Sequence, residues 1–311
     1  MTRARIIGVY AALPAEPVGR QSLTSAVLDL PGCDGLEIPF GSLGYEQDRQ
    51  WLWDRMPPSR THVFTLVAAT MEALGRDEAW GPASSSQAGR AAFLGLLSEA
   101  REEVARVTAA GHRVLAVEIQ SAPRGTAQPA PNAAALRETL AAAAAWNWCG
   151  ASLTIEHCDA FRSGQPHAKG FLSLEEEIAV IQAIAGNSGT DLGITINWGR
   201  SAIDCRRASS VDEQITQARR ANVLRGLMIS GTTGSEGAFG PAWSDSHAPL
   251  YDVDPLAGEP TSVLTEELVG RAIRVAGDDL QYDGVKVGVR PKAATHEHRL
   301  AVISRVMRAM G

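Results

Sequence analysis

Short apolar runs alternate along the chain with longer stretches whose apolar residues recur at helical spacing. The runs at 5–11, 35–40, 61–68, 113–121, 152–158, 192–198, 225–230 and 285–289 read as eight strands. Between them, 88–110 carries Phe93, Leu96, Leu97 and Val104 as one stripe. Segments 132–146, 174–185, 211–223, 266–276 and 298–310 read as further helices. Ser173 ahead of Glu175–Glu177, and Thr265 ahead of Glu266 and Glu267, place a capping hydroxyl before first-turn acids. Gly111 and Gly150 read as helix stops.

Eight strands alternating with helices predict an α/β fold closed into a (β/α)8 TIM barrel. We read 1–311 as a single domain, with long loops near 71–88 and 231–260 rich in Gly, Ser and Pro. No G-x-G-x-x-G follows the first strand, so neither a Rossmann fold nor a nucleotide cofactor is expected. Gly231–Gly234 is glycine-rich without being a Walker sequence.

Strand parity points to the candidate chemistry, because successive side chains face opposite sides. Leu115, Val117 and Ile119 share one face of strand four, leaving Glu118 and Gln120 opposite. Leu153 and Ile155 likewise oppose Thr154, Glu156 and Cys158, and Ile194 and Ile196 oppose Thr195 and Asn197. In strand two, Leu36 and Ile38 oppose Glu37. In strand eight, Val285, Val287 and Val289 oppose Lys286 and Arg290. If the apolar face meets the helices, then Glu37, Glu118, Glu156, Asn197, Lys286 and Arg290 face inward. Several ionisable groups in one confined space are costly unless they bind each other or a ligand.

Three motifs refine the expectation. Ile155-Glu-His-Cys-Asp-Ala160 ends strand five, with Glu156 as the leading catalytic or metal-ligating carboxylate. His157 and Asp159 have the other parity and read as loop-shaping or buttressing groups. In Trp243-Ser-Asp-Ser-His247, Asp245 and His247 have the spacing to share one ion. Ile196-Asn-Trp-Gly-Arg200 offers an amide, the Trp198 ring for stacking on a sugar, and Arg200 for a carboxylate or phosphate; the plainer reading packs Trp198 and pairs Arg200 with Asp204. Trp146 and Trp148 read as packing, and Cys158 has no evident base beside it.

The chain has 311 residues, 21% charged, with a formal net charge of −6. That balance and the lack of a basic stripe argue against nucleic acid, and no apolar run approaches the roughly 20 residues of a membrane span. The first twelve residues only loosely imitate a secretion signal; Ile6–Val9 read better as a strand. Four cysteines without a C-x-x-C pair suit reduced thiols and a cytoplasmic location. Oligomeric state, a homo-oligomer included, is left open.

Gly35-Leu-Glu-Ile-Pro-Phe40, Val117-Glu-Ile-Gln-Ser-Ala-Pro123, Ile155-Glu-His-Cys-Asp-Ala160, Lys169-Gly-Phe-Leu172, Ile196-Asn-Trp-Gly-Arg200 and Asp245-Ser-His-Ala-Pro249 together resemble a bacterial family described as a domain of unknown function, DUF4862-like. That family looks like a branch of the xylose-isomerase-like TIM barrels. The resemblance implies a sugar-processing barrel and a divalent metal (Mn, Mg or Zn) at its mouth. Glu156 matches the strand-five metal glutamate, and Asp245 and His247 resemble the Asp-x-His of the endonuclease branch. Asn197 and Arg200 stand where an Asp and a His are usual, and Lys286 and Arg290 stand in the region of the usual strand-eight Glu.

The expected function is a sugar or sugar-acid isomerase or epimerase acting through an enediolate. Glu156 or Glu118 would be the base, and Lys286, Arg290 or a metal would stabilise the oxyanion. Glu37, Asn197, Trp198, Arg200, Arg290 and His157 would bind a carbohydrate-like substrate. The alternatives are a glycoside or cyclitol lyase or hydrolase using Glu118 and Glu156 as a pair, and a non-catalytic sugar-binding barrel.

Overall fold

Each of the eight apolar runs yields a strand in the computed structural model, which describes residues 3–58, 60–186 and 188–311, and all of their side chains except those of residues 46 and 47. Met1 and Thr2, part of the signal-like stretch weighed above, lie outside the described residues. The strands are β1 (Ala4–Ile7), β2 (Gly35–Pro39), β3 (Thr61–Thr65), β4 (Arg113–Ile119), β5 (Ser152–Glu156), β6 (Leu192–Asn197), β7 (Leu224–Ile229) and β8 (Tyr282–Val285). They close in chain order into one parallel barrel, the α/β TIM-barrel architecture that the alternation predicts.

The helices are α1 (Pro17–Leu28), α2 (Leu43–Arg55), α3 (Val67–Leu74), α4 (Gln87–Ala109), α5 (Ala133–Ala144), α6 (Leu174–Ala185), α7 (Trp198–Cys205), α8 (Ser210–Arg220), α9 (Glu266–Ala276) and α10 (His296–Met310). Contacts gather the chain into two compact units: Met1–Glu37, Ile196–Arg219 and Gly226–Gly311 form one, and Ile38–Thr195 with Arg220–Arg225 the other.

In the second unit, β4 pairs with β5 so that Glu118 lies opposite Thr154, and β5 with β6 so that Glu156 lies opposite Thr195. The apolar parity of Val117, Ile119, Leu153, Ile155 and Ile194 is fully buried. Against it lies the α4 stripe of Phe93, Leu97 and Val104. The cap at Ser173 is a capping box, its hydroxyl and the Glu176 carboxylate bonding reciprocally.

In the first unit, Tyr282 and Lys286 flank Gly284, where any Cβ would overlap the Ile6 carbonyl. Gly226 is likewise required, because its Cβ would run into the Tyr282 ring. The barrel interior here is filled by alternating large and absent side chains.

Several boundaries differ from the sequence expectation. Strand one stops at Ile7, and Val9–Ala12 form a short 3-10 turn. Strand three stops at Thr65, and the apolar residues after it begin α3, so the loop expected from 71 begins after Leu74. A continuous apolar run does not distinguish strand from buried helix. Strand eight lies three residues earlier than expected, although Lys286 N still donates to Ile229 O at 2.8 Å. The long loop after β7 runs on to Thr265 and is pinned by bridges Gly231–Ala248 and Thr233–Ser262. Trp146 and Trp148 stack with centroids 6.1 Å apart, as packing residues would.

Candidate active site

The inward parity of β4 and β5 brings Glu118, Gln120, Thr154 and Glu156 into the interior, each at 0% exposure. Gln120 Nε2 donates to Glu156 Oε2 at 3.2 Å, and Thr70 Oγ1 donates to Gln120 Oε1 at 3.1 Å. The Thr70 bond fixes which end of the amide faces the carboxylate. Glu156 is therefore oriented by a two-step chain.

His157 points the other way, as its parity demands. Its Nδ1 lies 2.7 Å from Glu177 Oε2, and Ser121 Oγ donates to Glu177 Oε1 at 2.5 Å. This buried histidine–carboxylate pair fixes the orientation of the ring that follows Glu156 in the chain. Glu177 escaped the sequence reading, which counted it as a first-turn acid. A signal existed: Glu177 lies on the same helical face as Leu174, Ile178 and Ile181, an acid inside an apolar stripe. Asp159 is a loop-building residue. Its carboxylate accepts from the backbone N–H groups of Ala168 at 2.7 Å, Lys169 at 3.0 Å and Gly170 at 3.3 Å.

In the other unit, Glu37 on β2 meets Lys286 just beyond β8. Lys286 Nζ is 2.5 Å from Glu37 Oε1, both side chains at 0% exposure, and Tyr10 OH donates to the same oxygen at 3.2 Å. Gly8 makes room for the pair, since a Cβ there would sit 2.5 Å from Glu37 Oε2. Asn197 Oδ1 caps α7 by accepting from Arg200 N at 3.3 Å. Trp198 is buried in the same turn. Arg200 Nε bonds Asp245 Oδ2 at 3.1 Å, and Asp204 accepts from Gln214 at 2.8 Å. His247 Nδ1 lies 2.8 Å from Ser230 Oγ and 3.8 Å from Asp245 Oδ1. Arg290 is half-buried, with its guanidinium 5.0 Å over the Phe239 ring.

Glu118 and Glu156, both in the second unit, each offer a carboxylate oxygen within 4.8 Å of the other.

The model of the family described as "Domain of unknown function (DUF4862)" matches residues 6–302. The chain belongs to the DUF4862 family. A Salmonella typhimurium relative, the uncharacterized protein STM3670, is 30% identical over 305 residues, covering 96% of this chain and 94% of that protein. Among solved structures, a xylose isomerase domain protein from Alicyclobacillus acidocaldarius is similar over 99% of this chain and 98% of its own, with TM-score 0.58 and 16% identity. D-allulose 3-epimerase from Methylomonas sp., solved with D-allulose, is similar over 100% and 98%, with TM-score 0.54 and 11% identity. These likenesses show that the DUF4862 chain shares the TIM-barrel fold of those proteins. No helix among the described residues is long and apolar enough to cross a membrane.

The donor set of this DUF4862 chain suits a hard divalent cation. Two carboxylates provide oxygen only, as Mg²⁺ and Mn²⁺ prefer. Ionised carboxylates at the Glu118–Glu156 spacing of at most 4.8 Å repel by about 3 kcal/mol at an effective dielectric of about 20. Such an arrangement persists only where positive charge or a shared proton relieves it.

Proposed function

We propose that the chain isomerises or epimerises a sugar or sugar acid by proton transfer through an enediolate. The observation carrying this reading is the close approach of the Glu118 and Glu156 carboxylates, both fully buried. Epimerisation removes a proton beside a carbonyl on one face and returns one on the other, which calls for two acid–base groups. Glu118 and Glu156 fill those roles, with Gln120 fixing Glu156. Lys286, held by Glu37 and Tyr10, donates to the oxygen on which charge develops. Asn197 and Arg200 border the substrate in this reading, while His157, turned onto Glu177, buttresses the end of β5.

A divalent cation would relieve the repulsion between the Glu118 and Glu156 carboxylates. Glu118 and Glu156 would hold that cation, which when bound polarises the substrate carbonyl as a Lewis acid. The names of two fold neighbours, D-psicose 3-epimerase and D-allulose 3-epimerase, support the choice of ketoses as first substrates to try. The closeness of the Glu118 and Glu156 oxygens also suits the nucleophile–acid pair of a retaining glycosidase, which is the second reading.

Deuterium wash-in separates the two. In D2O, with Mg²⁺ or Mn²⁺ added, the protein should introduce deuterium beside the carbonyl of at least one of D-fructose, D-allulose and a set of aldonic and uronic acids. Glu156→Gln should lower that rate by about 10²–10⁴-fold. Undiminished exchange in Glu156→Gln, or release of an aglycone without exchange, overturns the isomerase reading.

A further inference from the structure

A cavity of about 490 Å³ lies beside the end of β8, and neither Glu37 nor Lys286 lines it. Its walls are largely apolar: Phe239 and Leu256 from the long loop after β7, Val289 and Pro291 after β8, and Val302 of α10. Its guanidinium is that of Arg290, His298 adds an imidazole, and its one acid is Glu259. Glu259 is already engaged, with Oε1 accepting from Thr261 N at 2.9 Å and from Thr261 Oγ1 at 2.5 Å.

Arg290 makes no ion pair among the described residues. Its one hydrogen bond there runs from Nη1 to its own neighbour's carbonyl, Val289 O, at 3.1 Å. The guanidinium face rests on Phe239, 5.0 Å from the ring centroid. Stacking of this kind occupies the face of the group and leaves its edge donors for an in-plane acceptor. The Nε–Nη2 edge matches the two oxygens of a carboxylate. The nearby Arg299, buried and bonded to Ala12 O at 2.6 Å, adds positive charge rather than a partner.

We propose that this cavity is a binding site for a small organic carboxylate with an apolar body. The carboxylate pairs with Arg290, and the body packs on Phe239, Leu256 and Val302. Apolar walls with one convergent charged group are the usual make-up of a small-molecule site of this volume. A polyhydroxylated acid is a poor fit, because those walls leave its hydroxyls without partners. The site is independent of the proposed isomerase chemistry.

Calorimetric titration of the full chain with benzoate should show one saturable site. Benzyl alcohol, which lacks the charge, and gluconate, which lacks the apolar body, should each bind at least tenfold more weakly. Arg290→Gln should weaken benzoate at least tenfold, with Arg290→Lys intermediate. Leu256→Trp, a change at an exposed wall residue, should block benzoate with Arg290 still in place. Circular dichroism and thermal melting should show all three variants folded. Absence of saturable benzoate binding, gluconate binding as tightly as benzoate, or benzoate affinity unchanged in Arg290→Gln or in Leu256→Trp each overturns the proposal.

Discussion

Replacing Lys286 by Met removes the ammonium from a carboxylate that has no access to water. The structure sets the scale. Nζ lies 2.5 Å from Glu37 Oε1, and both side chains are at 0% exposure. At an effective dielectric of about 20 the attraction over that distance is about 7 kcal/mol before desolvation is deducted. The Tyr10 hydroxyl, 3.2 Å from the same oxygen, still solvates the carboxylate in the variant. Breaking one side of a buried pair costs about 3–5 kcal/mol, and we expect Lys286→Met to fall in that range. This is a large share of the 5–15 kcal/mol that typically holds a domain together. Glu37→Gln in the same background removes the stranded charge and keeps an acceptor for Tyr10. The double variant should therefore recover at least about 2 kcal/mol relative to the sum of the singles. Urea midpoints in EDTA, measured for wild type, both singles and the double, give the coupling directly. A loss below about 1 kcal/mol for Lys286→Met, or strictly additive singles, would refute the claim that this pair is a tight buried contact.

Two further predictions concern residues outside the candidate site. His62 lies in β3 at 0% exposure, and burial, then His112, then Arg60 lower its pKa from 6.5 to about 3. The folded state thus holds His62 neutral, so its contribution is present above pH 6.5 and lost as pH falls through 6.5 toward 3. The loss should reach about 2 kcal/mol at pH 5, and His62→Gln should flatten the acid limb of the urea-midpoint profile; an unchanged limb rejects the assignment. Asp159→Ala removes one carboxylate that accepts from three consecutive backbone amides, at Ala168, Lys169 and Gly170. We expect a cost of about 3 kcal/mol and faster hydrogen exchange confined to those amides, and exchange left at the wild-type rate would show that the loop is held by something else.

The barrel was legible in the sequence because its strands alternate so regularly. In β4, β5 and β6 the aliphatic parity is unbroken, and the polar parity that remained led directly to Glu118, Glu156 and Asn197. Regularity failed where the backbone turned within an apolar run. Leu66 and Val67 follow β3 without a polar break, so the start of α3 left no mark. The segment that forms α2 is mostly polar and carries no clear apolar stripe, so it was not assigned as a helix. The pairings at the strand ends were less legible still. Whether Arg200 meets Asp204 or Asp245 depends on how the loop after β7 folds back, and that loop is organised by isolated bridges rather than by any periodic pattern. Glu177 was hidden for a different reason, since an acid three residues inside a helix has an ordinary explanation in the first-turn dipole.

The cations at strand eight look different once placed. Lys286 and Arg290 stand in the region where the xylose-isomerase-like pattern has a glutamate, and as neighbours on one strand they read as an anion-binding edge. The structure separates them. Lys286 is drawn onto Glu37, while Arg290 turns to Phe239 and lines another cavity. Asp245, read as a metal ligand from its spacing to His247, bonds Arg200, and His247 bonds Ser230. In the second unit, Glu118 and Glu156 are the candidate oxygen ligands. A set of carboxylates without imidazole or thiolate favours a hard ion. Our proposed site is accordingly one for Mg²⁺ or Mn²⁺ in preference to Zn²⁺, which is the reverse of the order that an Asp-x-His pair implies.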